Sequence, residues 1–204
     1  MFSLGEPHYF PSFLGERMQI GMVVNDFDAA LTYWSEVMQV GPWIAIEESL
    51  GDRRMVHRGE QTPVEMTLAL SYVGETQVEI IAQTNSAPSP YREFLDEGRE
   101  GMHHIAFWPE DYAQSCHELK TRGFNEVMTI LTADGEKNVS YFQAPVALGF
   151  MVEVVPLTAA RREYYSAIEV LARNWDGTRP VRRFRSRLDF LASEDVADLK
   201  KGHL

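Results

Sequence analysis

The sequence predicts an α+β fold: two tandem βαβββ modules forming a curved mixed sheet around a cavity, followed by a C-terminal helical tail. Two observations predict it. The chain repeats itself, because Gln-Ile-Gly-Met-Val-Val-Asn-Asp from Gln19 is matched by His-Ile-Ala-Phe-Trp-Pro-Glu-Asp from His104, and Gln-Val-Glu-Ile-Ile from Gln77 by Met-Val-Glu-Val-Val from Met151. Each copy also runs in the same order, from apolar strand through a helical stripe to three further strands.

In the first copy the strand Met18 to Val24 meets Asp26, whose carboxylate can accept the free N–H groups at a helix start. Ala30, Leu31, Trp34, Val37 and Met38 then recur at helical spacing, giving one apolar stripe that Gly41 and Pro42 end. Strands are expected at Trp43 to Glu47, Val64 to Tyr72 and Thr76 to Ala82, with Val73-Gly74-Glu75 as the last turn. In the second copy Asp111 caps the helix that Gly123 closes, and strands are expected at Glu126 to Leu131, Val139 to Gln143 and Phe150 to Val155. The domain is read as residues 17–157: module 1 over 17–83, a linker over 84–100 carrying a short helix from Tyr91 to Glu97, and module 2 over 101–157. Residues 158–204 are read as a helical extension, beginning with a helix from Ala159 to Asn174. Neither module can cover its own sheet, so the two should pack as one domain.

Composition narrows the function. The chain has 204 residues, 45% of them hydrophobic, and a net charge of −11, which disfavours nucleic acid as a partner. No apolar run reaches the roughly 20 residues of a membrane span and the N-terminus lacks a secretion pattern, so a cytoplasmic protein is expected. The single Cys116 cannot form an internal disulfide and is read as a structural residue. Arg179, Arg182, Arg183, Arg185 and Arg187 form a local basic cluster, read as a solvated or subunit-facing segment, or as a contact for the phosphates of an acyl carrier.

The duplication also places one amide, one imidazole and two carboxylates at equivalent strand positions: Gln19, His104, Glu79 and Glu153. Glu79 interrupts Val78 and Ile80, and Glu153 interrupts Val152 and Val154, so each breaks an apolar strand. This set points to a metal-binding cavity for a divalent ion: two carboxylates balance its charge, and amide plus imidazole leave positions for water or substrate. His104 is preferred to His103 because it aligns with Gln19. Strand alternation puts Val23, Trp108 and Met151 on the same face as these groups, as the apolar wall of a substrate pocket.

The segments QIGMVVNDFDAALTYWSEVMQVGPW, PYREFLDEGREGMHHIAFW and GFMVEVV resemble the vicinal oxygen chelate superfamily, the glyoxalase/bleomycin-resistance/dioxygenase proteins, over about residues 17–157. The resemblance implies one metal ligand per equivalent strand, on Gln19, Glu79, His104 and Glu153. This set looks like the glyoxalase I branch and differs by two substitutions from that of methylmalonyl-CoA epimerases. The stretch Thr62 to Leu70 resembles the epimerase strand carrying a catalytic glutamate, which falls on Glu65.

The function expected from these residues is a divalent-metal-dependent isomerase, epimerase or lyase, with Zn, Ni, Co, Mn or Mg as the ion. It would move a proton alpha to a carbonyl or thioester, with Glu65 and Glu153 as catalytic residues. An extradiol-type dioxygenase is a weaker reading, because it needs two histidines and one carboxylate. A non-enzymatic small-molecule binder without a metal is the third. The resemblance further implies a homodimer.

Overall fold

The computed structural model describes residues 13–15 and 18–202. Module 1 contributes β1 (Met18–Val23), α1 (Phe27–Thr32), β2 (Trp43–Ile46), β3 (Arg54–His57), β4 (Glu60–Thr62), β5 (Met66–Val73) and β6 (Thr76–Gln83). After the linker helix α2 (Pro90–Asp96), module 2 contributes β7 (Gly101–Phe107), α3 (Tyr112–Thr121), β8 (Asn125–Leu131), β9 (Lys137–Gln143) and β10 (Met151–Val154). The tail folds as α4 (Ala159–Arg173), β11 (Val181–Phe184), α5 (Arg187–Leu191) and α6 (Glu194–Lys201).

The strands form one mixed sheet in the order β11-β2-β5-β6-β1-β7-β10-β9-β8-β3-β4. Its centre is the antiparallel pair β1 and β7, on either side of which the two copies lay down their strands in mirror order. The register repeats too. β1 runs parallel to β6 with Gly21 opposite Glu79, and β7 runs parallel to β10 with Ala106 opposite Glu153. Gly21 and Ala106 each lie two residues past the matched polar residues of the repeat, Gln19 and His104, so the duplication read in sequence is a duplication in space.

The helix caps form as expected: Asp26 accepts from the Ala29 N–H and Asp111 from the Gln114 N–H, each at 2.9 Å. The first stripe does not hold along its length. Leu31 is buried and Trp34 packs edge-on against Trp43 at 5.9 Å, but Val37 and Met38 are exposed. The helix widens into a π-helical turn over Tyr33–Val37, and its extra residue per turn rotates the end of the stripe away from the sheet.

Two features were absent from the expected elements. Residues 54–62 form the β3–β4 hairpin, which leaves module 1 and pairs β3 with β8 of module 2. The tail, expected to be helical, also supplies β11, which pairs in parallel with β2. Both outer edges of the eight duplicated strands are thus covered rather than left as open templates for another chain.

α4 packs on β5, burying Tyr164, Tyr165, Ala167, Ile168 and Leu171 in the main core. That core also holds Tyr91 and Phe94 of the linker helix. The linker and tail therefore close over the face of the sheet that carries the polar residues.

Candidate metal centre

Glu79, His104 and Glu153 converge on one buried point, with one ligating atom of each lying within 4.8 Å of the others. Three strands position them: β6, β7 and β10. Alternation turns Glu79 and Glu153 to the covered face, and His104 Nε2 lies 3.0 Å from Glu153 Oε2 and 3.4 Å from Glu79 Oε2. Gln19 of β1 is buried at the same cavity, which Glu79 and Glu153 also line. The cavity is about 30 Å³, enough for water molecules or an ion.

Gly21 makes the convergence feasible. It stands opposite both Glu79 and His104, and a Cβ built on it would come within 1.9 Å of His104 Cε1. The imidazole therefore lies across β1 where a side chain would otherwise be, close to both carboxylates.

The donor set fits a divalent cation. Glu153 Oε2 is buried without a hydrogen bond of good geometry, although it is close to His104. Gln19 Nε2 is also buried without a partner; amide oxygen and nitrogen are interchangeable by a half-turn, so the position that lacks an acceptor can present Oε1 to a cation. Buried polar atoms of this kind are rare unless something binds them.

A proton and a cation compete for His104 at this point. Burial would lower the pKa of His104, but the charges and hydrogen bonds of Glu153 and Glu79 outweigh it and hold it up to about 9. The other ring nitrogen faces His103, with Nδ1 to Nδ1 at 3.1 Å. Burial first, then the charge of His104, push His103 down to about 3, so it stays neutral and accepts from His104 Nδ1–H. This contact holds the His104 ring with Nε2 toward the carboxylates. A bulge in β7 brings the two rings together: Gly21 is opposite His104 and Met22 opposite Met102, leaving His103 as the extra residue. No periodic pattern in the sequence signals such a bulge.

Two tyrosines complete the polar wall. Tyr141 Oη lies 3.4 Å from His104 Nε2, and Tyr91 Oη donates to it at 3.1 Å. Burial, then the negative charge of Glu153, hold both phenols protonated well above their ordinary range, so they serve as donors.

The remaining expected residues lie elsewhere. Glu65 is exposed just ahead of β5, and its neighbours Met66 and Leu68 line the cavity instead. Side chains alternate along the chain here, and Met66 has taken the inward place. Trp108 and Val23 are buried in the core and do not line the cavity. Trp108 stacks on Tyr165 at 4.8 Å, so a tail residue occupies the face it was expected to offer a substrate. Met151 lines a separate outer groove with Phe94 and His103. The apolar wall of the cavity is made by Met66, Leu68, Ile81, Ile130, Val139 and Val155. Cys116 is buried and its thiol is pushed up by burial, which fits a structural residue. No helix is long and apolar enough to cross a membrane among the described residues.

The fold is similar to that of solved structures. Methylmalonyl-CoA epimerase from Mycobacterium tuberculosis is 18% identical over 73% of this chain and 93% of that one, with a TM-score of 0.50. A hypothetical protein from Bacillus halodurans C-125 is 18% identical over 69% and 93%, with a TM-score of 0.49. Methylmalonyl-CoA epimerase from Streptomyces coelicolor in complex with 2-nitronate-propionyl-CoA is 17% identical over 69% and 93%, with a TM-score of 0.46. No curated protein matches the chain. A family model matches residues 18–141, which hold Gln19, Glu79 and His104, and by this match the chain belongs to the glyoxalase/bleomycin resistance protein/dioxygenase superfamily.

Proposed function

We propose that this protein is a divalent-metal-dependent isomerase, epimerase or lyase that moves a proton alpha to a carbonyl or thioester. Glu79, His104 and Glu153 meet at one buried point, and Gln19 lines the cavity beside the two carboxylates; this carries the reading. These four residues would hold the cation. When bound, it supplies Lewis acidity, acidifying the C–H next to a carbonyl and stabilising the charge left by its removal. With two carboxylates, an amide and a single imidazole as candidate donors, the set departs from the two-histidine, one-carboxylate pattern of iron dioxygenases.

The chain's own groups do the rest. Glu153 is the base: its carboxylate is buried, lines the cavity and lies 3.0 Å from His104 Nε2. Glu79 approaches from β6, across the central strand pair from Glu153 on β10. Two carboxylates on opposite flanks permit removal of a proton from one side and return from the other, which is epimerisation. Return by the same carboxylate to the neighbouring carbon gives isomerisation. Tyr141, held by Tyr91, donates to oxygen where negative charge develops. The tail residues Arg161, Tyr165 and Arg187 line one side of the cavity.

The test is exchange of substrate α-hydrogen with deuterated water, using zinc-, nickel- or cobalt-loaded protein with methylmalonyl-CoA, small 2-oxo acids and a methylglyoxal hemithioacetal. Exchange with at least one class, lost in Glu153→Gln, is expected. Metal-loaded protein that exchanges none of them would sink the reading.

A further inference from the structure

Of the five clustered C-terminal arginines, four are paired with three carboxylates outside the cavity. Arg179 and Arg182 share Asp195 at 2.8 and 3.0 Å, Arg183 pairs with Asp28, and Arg185 pairs with Glu48 at 2.8 Å. They offer no free cluster for the phosphates of an acyl carrier. Arg187 behaves differently: it lines the metal cavity, its guanidinium stands over the Tyr164 ring at 5.2 Å, and its Nε is buried without a partner.

Two more arginines reach the same cavity, Arg53 from the loop before β3 and Arg161 from the first turn of α4. Arg161 is only 7% exposed. Their hydrogen bonds go to neutral acceptors: Arg53 Nε to the Leu50 carbonyl at 3.0 Å, and Arg161 to the Pro156 carbonyl and, at 2.6 Å, to Asn138 Oδ1. Those bonds aim the guanidinium groups without neutralising them. Among the described residues none of the three has a carboxylate partner within ion-pair distance, and the acids lining the cavity are Glu79 and Glu153.

Three guanidinium groups and a divalent cation against two carboxylates leave the cavity with an excess of positive charge. Confining uncompensated cations around one partly buried cavity is costly, and an anion between them reduces the cost. Burial, then repulsion from Arg187 and Arg161, lowers Arg53 to about 9, which reports the same crowding.

We propose that Arg53, Arg161 and Arg187 form an anion subsite that seats a carboxylate of the substrate beside the metal centre, making the substrate a small carboxylate-bearing carbonyl compound. This rests on the proton-transfer reading above. Planar guanidinium forks match a carboxylate in a bidentate way, and fixing that end of the substrate would orient its carbonyl and α-hydrogen toward Glu153.

The test uses metal-free full-length protein, so that it is independent of metal loading. Malonate is titrated by calorimetry against malonamide, its uncharged counterpart, in the wild type and in Arg187→Gln. Malonate should bind at least about tenfold tighter than malonamide, and Arg187→Gln should abolish most of that preference, as expected for loss of a charge-assisted pair. Arg53→Gln serves as the second variant if circular dichroism shows Arg187→Gln unfolded. Equal binding of the two compounds by the wild type, or an unchanged preference in a folded variant, would overturn the subsite. Malonate selectivity in a protein whose metal-loaded form exchanges no α-hydrogen would keep the subsite and remove the proton-transfer chemistry. Exchange of a thioester without malonate selectivity would do the reverse.

Discussion

His103 Nδ1 lies 3.1 Å from His104 Nδ1, so a neutral histidine directs a charged or metal-ligating one. Outer partners of this kind are typically worth about 10- to 100-fold in metal affinity. His103→Phe, placed among the rings of Tyr91 and Phe94, should keep the fold and weaken zinc binding by that factor. Competition against a chelator measures it. Unchanged affinity would mean that His104 is oriented by its carboxylates alone.

Gly21→Ala should damage the site while touching no ligand. The new methyl group would fall within 1.9 to 2.5 Å of three His104 ring atoms, so the imidazole or β1 must shift. Overpacking of this kind costs about 1–3 kcal/mol. A lower urea midpoint together with loss of metal binding is expected, and a variant with wild-type metal affinity would refute the close packing of ring on strand.

Exchanging the two candidate bases should have opposite consequences. Glu65→Gln alters an exposed side chain outside the cavity and should leave turnover within about twofold and stability within about 0.5 kcal/mol. Glu153→Gln removes a buried carboxylate of the site and should lower turnover by at least about 100-fold. Steady-state kinetics on the exchanging substrate, with metal content checked, compares them. A large loss in Glu65→Gln would show that this side chain reaches substrate.

The histidine pair should give the metal-free protein a stability optimum. His104 is raised from 6.5 to about 9, so its stabilising contribution is complete below 6.5 and is lost as pH rises through about 9. His103 is lowered from 6.5 to about 3, so the unfolded chain takes up a proton that the native state refuses, and stability is lost as pH falls from 6.5 toward 3. The two contributions meet near 6.5. Saturating zinc should flatten the alkaline side, because it binds the neutral imidazole. Urea midpoints across this range, with and without zinc, should trace both curves; a metal-free midpoint that climbs steadily between 6.5 and 9 would contradict the His104 assignment.

Much of the centre was legible because it rests on alternation. Glu79 and Glu153 break apolar strands at matching places, and the register of β1 with β6 and of β7 with β10 reproduces that match. The face of Glu65 was harder to read, because the pattern from Thr62 to Leu70 does not show which residue enters β5 first. The bulge at His103 has no pattern at all, since it arises from how β7 meets β1. Likewise, no local signal says that β11 pairs with β2, that Tyr165 covers Trp108, or that Arg187 is the one arginine of its cluster to line the cavity. Those are contacts between distant parts of the chain, and periodicity reports only on neighbours.

The hairpin β3–β4 ties the history of the chain to how it can fold. Met55 lies opposite Ile130, so an early segment has no finished place until a late one exists. β2 likewise waits for Val181 to settle beside Trp43. Such long-range pairings must be closed before they reward the chain, which slows folding. The first copy has lent a hairpin to the edge of the second, and the tail has lent a strand to the edge of the first, so each copy's sheet is finished by a segment from outside it.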